Sequence, residues 1–203
     1  MTFNSTIRCV LAAAALTGAL QAATVFNFDT DSLGTASGFT DTVNGMAATF
    51  SSSLDPGGFV VYQSMFETLT GNVLGDPGPA GIDGLNLSVL FSQNLSAVTL
   101  NFATDDFNTP SPLTLTAFEG VNQVGSVTST GQFLNGFLFP EGEIALSGLA
   151  FNRIVISSTA MDFAVDNITV VGTPEPAPLA LFALGLLAMG IPAAKRMFRA
   201  TAK

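Results

Sequence analysis

The chain has no histidine and no tryptophan, a single cysteine, a single tyrosine and, between Thr24 and Gly172, a single cation. Each absence excludes something. Without histidine there is no side chain that titrates unaided near neutral pH, so the usual general base and the usual transition-metal ligand are both missing. Cys9 lies in the N-terminal leader, which leaves the rest of the chain without a disulfide or a thiolate metal site. The residues before it, Ser5-Thr-Ile-Arg8, lack the small apolar character expected ahead of an acylated cysteine. Any metal bound would be hard and oxygen-ligated, as calcium is. Sugar-stacking platforms use Trp or Tyr, aromatic faces with a polar edge, and only Tyr62 is available. The eighteen Phe mostly alternate with polar residues, which assigns them to a core.

Positive charge is scarce where it would matter for nucleic acid. Five of the six cations lie at the ends: Arg8 in front, and Lys195, Arg196, Arg199 and Lys203 behind. Fourteen of the fifteen acids lie between Asp29 and Asp166, and Arg153 is the one cation among them, so this stretch carries thirteen net negative charges. Phosphate contacts require Lys or Arg, so the body repels nucleic acid and anionic headgroups. It suits a solvated extracellular domain or a cation binder.

What is present divides the chain in three. Residues 1–23 read as a secretory signal peptide: Arg8 is the positive start, Val10 to Leu20 the short apolar core, and Gln21-Ala22-Ala23 the small-residue exit. An uncleaved N-terminal anchor is the alternative, disfavoured by the short apolar core. Residues 24–172 read as strands and turns. Apolar and polar residues alternate in Leu85–Val89, Val98–Phe102 and Leu113–Thr116, while Thr24–Phe28, Ala48–Phe50, Gly58–Tyr62, Phe151–Ile156 and Phe163–Val170 are rich in aromatic and β-branched residues. Asp55-Pro-Gly-Gly58, Gly75-Asp-Pro-Gly-Pro79, Asp83-Gly84 and Glu141-Gly-Glu143 read as turns. No stretch of the body holds an amphipathic helix. Eight to ten short strands predict an all-β fold: a single antiparallel β-sandwich, jelly-roll-like. It is flanked by an N-terminal signal helix and a C-terminal transmembrane helix. On the last strand Phe163 and Val165 share one parity and Ile168 and Val170 the other, so a β-bulge at Asp166-Asn167 is expected to restore the phase.

Residues 173–203 hold the most specific pattern. Thr173-Pro-Glu-Pro-Ala-Pro178 leads into an apolar run, and Lys195, Arg196 and Arg199 close it. From Ala177 to Ala194 nothing is charged, about 18 residues or roughly 27 Å as a helix. That is close to the hydrocarbon thickness of about 30 Å. With the leader pointing outward, the basic end stays inside, in line with the positive-inside rule. The order of Pro174-Glu175-Pro176, apolar helix and basic tail resembles the PEP-CTERM sorting signal of exopolysaccharide-producing Gram-negative bacteria. That resemblance implies an exosortase partner that cuts near Pro-Glu-Pro and passes the protein to the surface. Phe163-Ala-Val-Asp-Asn-Ile-Thr-Val170 and Phe26-Asn-Phe-Asp29 are similar to the closing and opening strands of jelly-roll domains that carry such tails.

Carboxylates are the only residues left for chemistry. The jelly-roll resemblance implies a structural calcium between first and last strands, for which Asp29, Asp31, Asp162, Asp166 and Asn167 are the candidate ligands. The alternative is that these acids are turn and edge residues that keep a lysine-poor surface soluble. Asp105-Asp106 raises the paired carboxylates of a glycosidase, but neighbours on a strand point to opposite faces, so the pair needs a loop. The expectation is a non-enzymatic, exosortase-sorted protein of the cell surface or extracellular matrix. It would be structural, adhesive or exopolysaccharide-associated, and membrane-anchored for some time with its C-terminus cytoplasmic. A calcium-stabilised carbohydrate-binding module is the alternative and a secreted hydrolase the outlier.

Overall fold

Period-two alternation persists in the folded chain. A computed structural model describes residues 22–53, 57–76, 85–105 and 110–173, and every regular element among them is a strand. The signal peptide, the sorting signal with Pro174, Glu175, Pro176, Lys195, Arg196 and Arg199, and Asp106 and Asp83-Gly84 lie outside the described residues. Among those residues no helix is long and apolar enough to cross a membrane. Ala22–Thr173 is one compact unit.

Eleven strands form one hydrogen-bonded sheet in which every pairing is antiparallel. They are β1 (Thr24–Phe26), β2 (Phe39–Val43), β3 (Met46–Ser52), β4 (Val60–Gln63), β5 (Asn72–Gly75) and β6 (Leu87–Thr104). β7 (Pro112–Glu119), β8 (Asn122–Thr130), β9 (Gln132–Phe133), β10 (Pro140–Ser158) and β11 (Phe163–Gly172) complete the sheet. Two of them, β6 and β10, run for 18 and 19 residues, and the architecture turns on them. The first part of β6, Leu87–Phe91, pairs with β3, while its second part pairs with β11. β10 accompanies it throughout, with register shifts between Ser147 and Phe151 and between Phe151 and Arg153. Parity changes at the same place: Leu87, Val89, Phe91 and Leu95 are buried at odd positions, Val98, Leu100 and Phe102 at even ones. The bend folds the sheet over itself into two facing layers. Leu85–Val89 and Val98–Phe102, expected as separate strands, are therefore parts of one, because an irregularity that breaks alternation looks in sequence like a strand end.

The core lies between the layers. Phe26 of β1 meets Phe50 of β3 edge-on at 6.2 Å and Phe91 of β6 at the same distance. Phe28 and Phe39 extend the cluster onto Phe50. Such tilted aromatic pairs add about 0.5–1.5 kcal/mol beyond the area they bury. The β2–β3 hairpin turns on Asn44-Gly45, both at positive φ, the two-residue turn whose twist matches that of the strands it joins. On β11 the bulge is where alternation requires it. Asp166 faces Asn101 but Thr169 faces Thr99, and Asn167 takes φ 51°. Phe163, Val165, Ile168 and Val170 all reach the core as a result.

One connection matters for function. Between β4 and β5 the chain crosses the outer face of β11 and β6, where Leu69 and Val73 pack on Ala103 and Ala164. Ser64 closes the loop on itself, its N–H donating to Gly71 O at 2.8 Å and its hydroxyl to Leu69 O. The two amides of Glu67 and Thr68 donate to the Glu141 carboxylate at 2.8 and 2.6 Å. Glu141, expected in a turn, instead lies within β10 and is 4% exposed, and its two oxygens anchor the loop.

Candidate functional site

Three carboxylate groupings surround this loop, and only part of the expected calcium set is assembled. Asp29 follows β1 in a turn and accepts the Asn72 N–H at 2.9 Å. Asn72 also donates through its side chain to the carbonyls of Phe28 and Asp31, so β5 is laced to the segment after β1. Gly71, at φ +77°, leaves the room that Asp29 occupies; a Cβ there would collide with Asp29 Oδ1. Asp166 of β11 approaches the same loop, accepting from the Thr70 backbone and from Asn167 N at 2.7 Å and Nδ2 at 2.9 Å. Burial is the main cause that pushes the Asp166 carboxyl up to about 6, with nearby Asp29 adding to it and the backbone donors opposing it.

Asp29, Asp166 and Asn167 thus converge on one loop, whereas Asp31 and Asp162 do not join them. Asp31 is raised by burial and by Asp41. Asp162 immediately precedes β11, four residues before Asp166, and lines a separate cleft. The oxygens of Asp29 and Asp166 are engaged by amide donors, and no three acids among the described residues are grouped as a metal ion requires. This donor set falls short of the six to eight oxygens typical of calcium.

The second grouping had no counterpart in the sequence reading. A cleft of about 370 Å³ opens beside the ends of β5, β6 and β11, lined by Tyr62, Phe66, Phe139 and Phe163 and by Asp76, Asp105 and Asp162. Backbone bonds hold the three acids together: Asp105 N–H donates to Asp162 O at 2.9 Å, and Asp76 N–H to Phe163 O at 3.2 Å. Burial, and then Asp162, Asp76 and Asp105 in turn, push the Tyr62 phenol well above its ordinary value, which places all three carboxylates in its field. Gly75 makes room for the Tyr62 ring, since a Cβ there would sit 2.9 Å from its hydroxyl and 2.8 Å from Ala164. Phe66 meets Phe139 edge-on at 5.5 Å, and Met65 is 61% exposed. Thr104, fully buried, lines the same cleft, and its Oγ1 has no hydrogen-bond partner among the described residues.

Sequence reasoning paired Asp105 with its neighbour Asp106; the fold instead groups it with Asp76 and Asp162, far away in sequence. Phe66 and Phe139, assigned with the other Phe to the core, line this cleft. The available signal was weak: three acids each placed where a strand begins or ends.

A third feature is a polar groove on the other side of the β4–β5 loop. Thr68, Asn101, Ser129, Gln132, Glu141 and Glu143 are among its lining residues. Its hydroxyls, amides and carboxylates offer hydrogen bonds.

No protein-family model matches the sequence, and no curated relative matches it significantly. The likeness is to solved structures. The K2 cleaved adhesin domain of Lys-gingipain aligns over 73% of this chain and 99% of its own, with a TM-score of 0.50 and 13% identity. A family 6 carbohydrate-binding module aligns over 61% of this chain and 87% of its own, with a TM-score of 0.39 and 12% identity. TmCBM61, solved with β-1,4-galactotriose, aligns over 62% and 88%, with a TM-score of 0.35 and 14% identity. At such identities the likeness to the adhesin domain is one of fold.

Proposed function

We propose that the chain is a non-catalytic, jelly-roll-like binding domain of the cell surface, adhesive or associated with an exopolysaccharide matrix, and sorted there by its C-terminal tail. The acid-and-aromatic cleft carries the binding part of this reading. It is a concave, largely apolar site with a few polar groups, the usual form of a small-ligand site. The acidic body and the adhesin-like fold are in keeping with it. Export rests on the leader at 1–23, and sorting on Pro174-Glu175-Pro176, the apolar run and Lys195, Arg196 and Arg199. The partners are then an exosortase-type protease, the membrane through the C-terminal helix, and a matrix polysaccharide.

Replacing Pro174, Glu175 and Pro176 with alanine tests the sorting. The expected outcome is an unprocessed chain retained at the inner membrane. Unchanged surface delivery and tail removal would reject the exosortase reading. For binding, the purified full chain should sediment with isolated exopolysaccharide, and cleft substitutions should release it.

A calcium-stabilised carbohydrate-binding module is the second reading, favoured by the convergence of Asp29 and Asp166 on the Thr70–Asn72 loop. Calcium would then raise the thermal midpoint and chelator would lower it. A midpoint indifferent to both removes calcium from the account.

A further inference from the structure

We infer that the cleft at the ends of β5, β6 and β11 selects a 6-deoxyhexose, a sugar with a methyl group where other hexoses carry a hydroxymethyl. This rests on the cleft being the matrix-binding site and names the sugar class it takes.

The apolar wall is the first reason. Met65 and Phe66 come from the β4–β5 loop and Phe139 from just ahead of β10, and the two rings meet edge-on at 5.5 Å. Ala103 and Ala164 line the cleft with methyl groups, and its volume of about 370 Å³ is usual for a small-ligand site. Met65 is exposed, and so are Leu138 and Met161, which adjoin the lining residues Phe139 and Asp162. Exposed apolar side chains grouped at a concave site mark interaction surfaces. The C–H face of a sugar suits such a wall, whereas its hydroxymethyl group does not. A hydroxyl buried among Met, Phe and Ala side chains has no partner there, which weakens binding about five- to a hundredfold. A methyl in its place gains by being buried.

The polar side of the cleft is the second reason. Thr104 lines it, fully buried, and its Oγ1 has no hydrogen-bond partner among the described residues. That is costly, and a ligand hydroxyl relieves it, because a hydroxyl can donate as well as accept. Tyr62 adds a phenol to the lining, and burial holds its proton well beyond the neutral range, so it can donate to a sugar oxygen. A wholly apolar ligand would leave Thr104 unmet. Asp76, Asp105 and Asp162 each interact within the protein, and a neutral sugar needs no free charge from them. Hydroxyls along one edge and a methyl on the other are what a 6-deoxyhexose presents.

The test is calorimetric titration of the detergent-solubilised full chain with two matched pairs of methyl glycosides. One pair is the L-fucoside and the L-galactoside, the other the L-rhamnoside and the L-mannoside, and the members of each differ only at C6. In at least one pair the deoxy sugar is expected to bind about tenfold more tightly than its twin. Thr104→Val keeps the shape of the side chain and should weaken the preferred sugar about fivefold. Met65→Gln, at an exposed position, adds an amide to the apolar wall and should cut the preference to about twofold. Val121→Gln, on the exposed β7–β8 turn, should leave every affinity unchanged. Unchanged thermal midpoints would show that the variants are folded. Equal affinities within both pairs would overturn the deoxy sugar while leaving sugar binding standing. A preference untouched by Thr104→Val and Met65→Gln, or equally sensitive to Val121→Gln, would overturn its assignment to this cleft. No binding of any of the four, with exopolysaccharide still sedimenting with the chain, would overturn this inference alone. Loss of that sedimentation as well would overturn the matrix-binding reading with it.

Discussion

At the scale of single residues, the clearest consequence is the pH dependence set by Asp166. Its carboxyl is fully buried and pushed up to about 6, whereas in the unfolded chain it titrates at its ordinary 3.8. The folded state therefore holds the proton more tightly. Its contribution is fully present below about pH 4 and is lost as pH rises through about 6. Asp31, raised as well, acts with the same sign. Asp166→Asn should flatten this part of the profile, a difference of at most about 3 kcal/mol between pH 4 and 7. Urea unfolding of both proteins across that interval measures it, and parallel profiles would contradict the assignment. Gly71 gives a second prediction at this scale. Gly71→Ala forces a side chain into positive φ and into Asp29, so a loss of about 1–3 kcal/mol is expected by the same measurement.

Among the elements, β11 and the two long strands differ in how much could be read in advance. The β11 bulge was legible because its four core residues change parity across Asp166-Asn167, and only an extra residue reconciles them. Asn is among the few residues that tolerate positive φ, so Asn167→Gly should cost only its Nδ2 bond to Asp166, about 1 kcal/mol, while Asn167→Val adds about 1–2 kcal/mol of backbone strain. Equal thermal midpoints for the two variants would mean that the bulge relaxes. β6 and β10 were not legible as continuous strands, because the bend through Leu95 and Phe151 interrupts the alternation by which a strand is recognised. The two-residue β9 and the four-residue β5 are too short to show a period at all. Glu141 has the same lesson: between Pro140 and Gly142 it looks like turn chemistry, and only the loop folded over it explains a buried carboxylate.

For the whole molecule, thirteen net negative charges between Asp29 and Asp166 repel one another in the folded state. Salt should relieve this, because the screening length is about 10 Å at 0.1 M. The thermal midpoint is expected to rise with sodium chloride up to a few tenths molar, where self-repulsion is screened; a flat or falling midpoint would show that the acids are compensated locally.

The sequence by itself determined the strand content, the acidic body, the absence of histidine and of any cysteine beyond Cys9, and the phase of β11. These depend on composition or on neighbours within a few residues. It also carries the whole of the leader and tail pattern. Tertiary structure alone decided which acids meet. Asp76, Asp105 and Asp162 stand at the ends of β5, β6 and β11, and only the pairing of those strands brings them together. It likewise kept Asp162 apart from Asp166 and Asp29, because the four residue steps of extended strand from Asp162 to Asp166 span about 13 Å. Register and strand order are set by packing between distant segments, and a cleft formed across three strands has no local pattern by which it could be read.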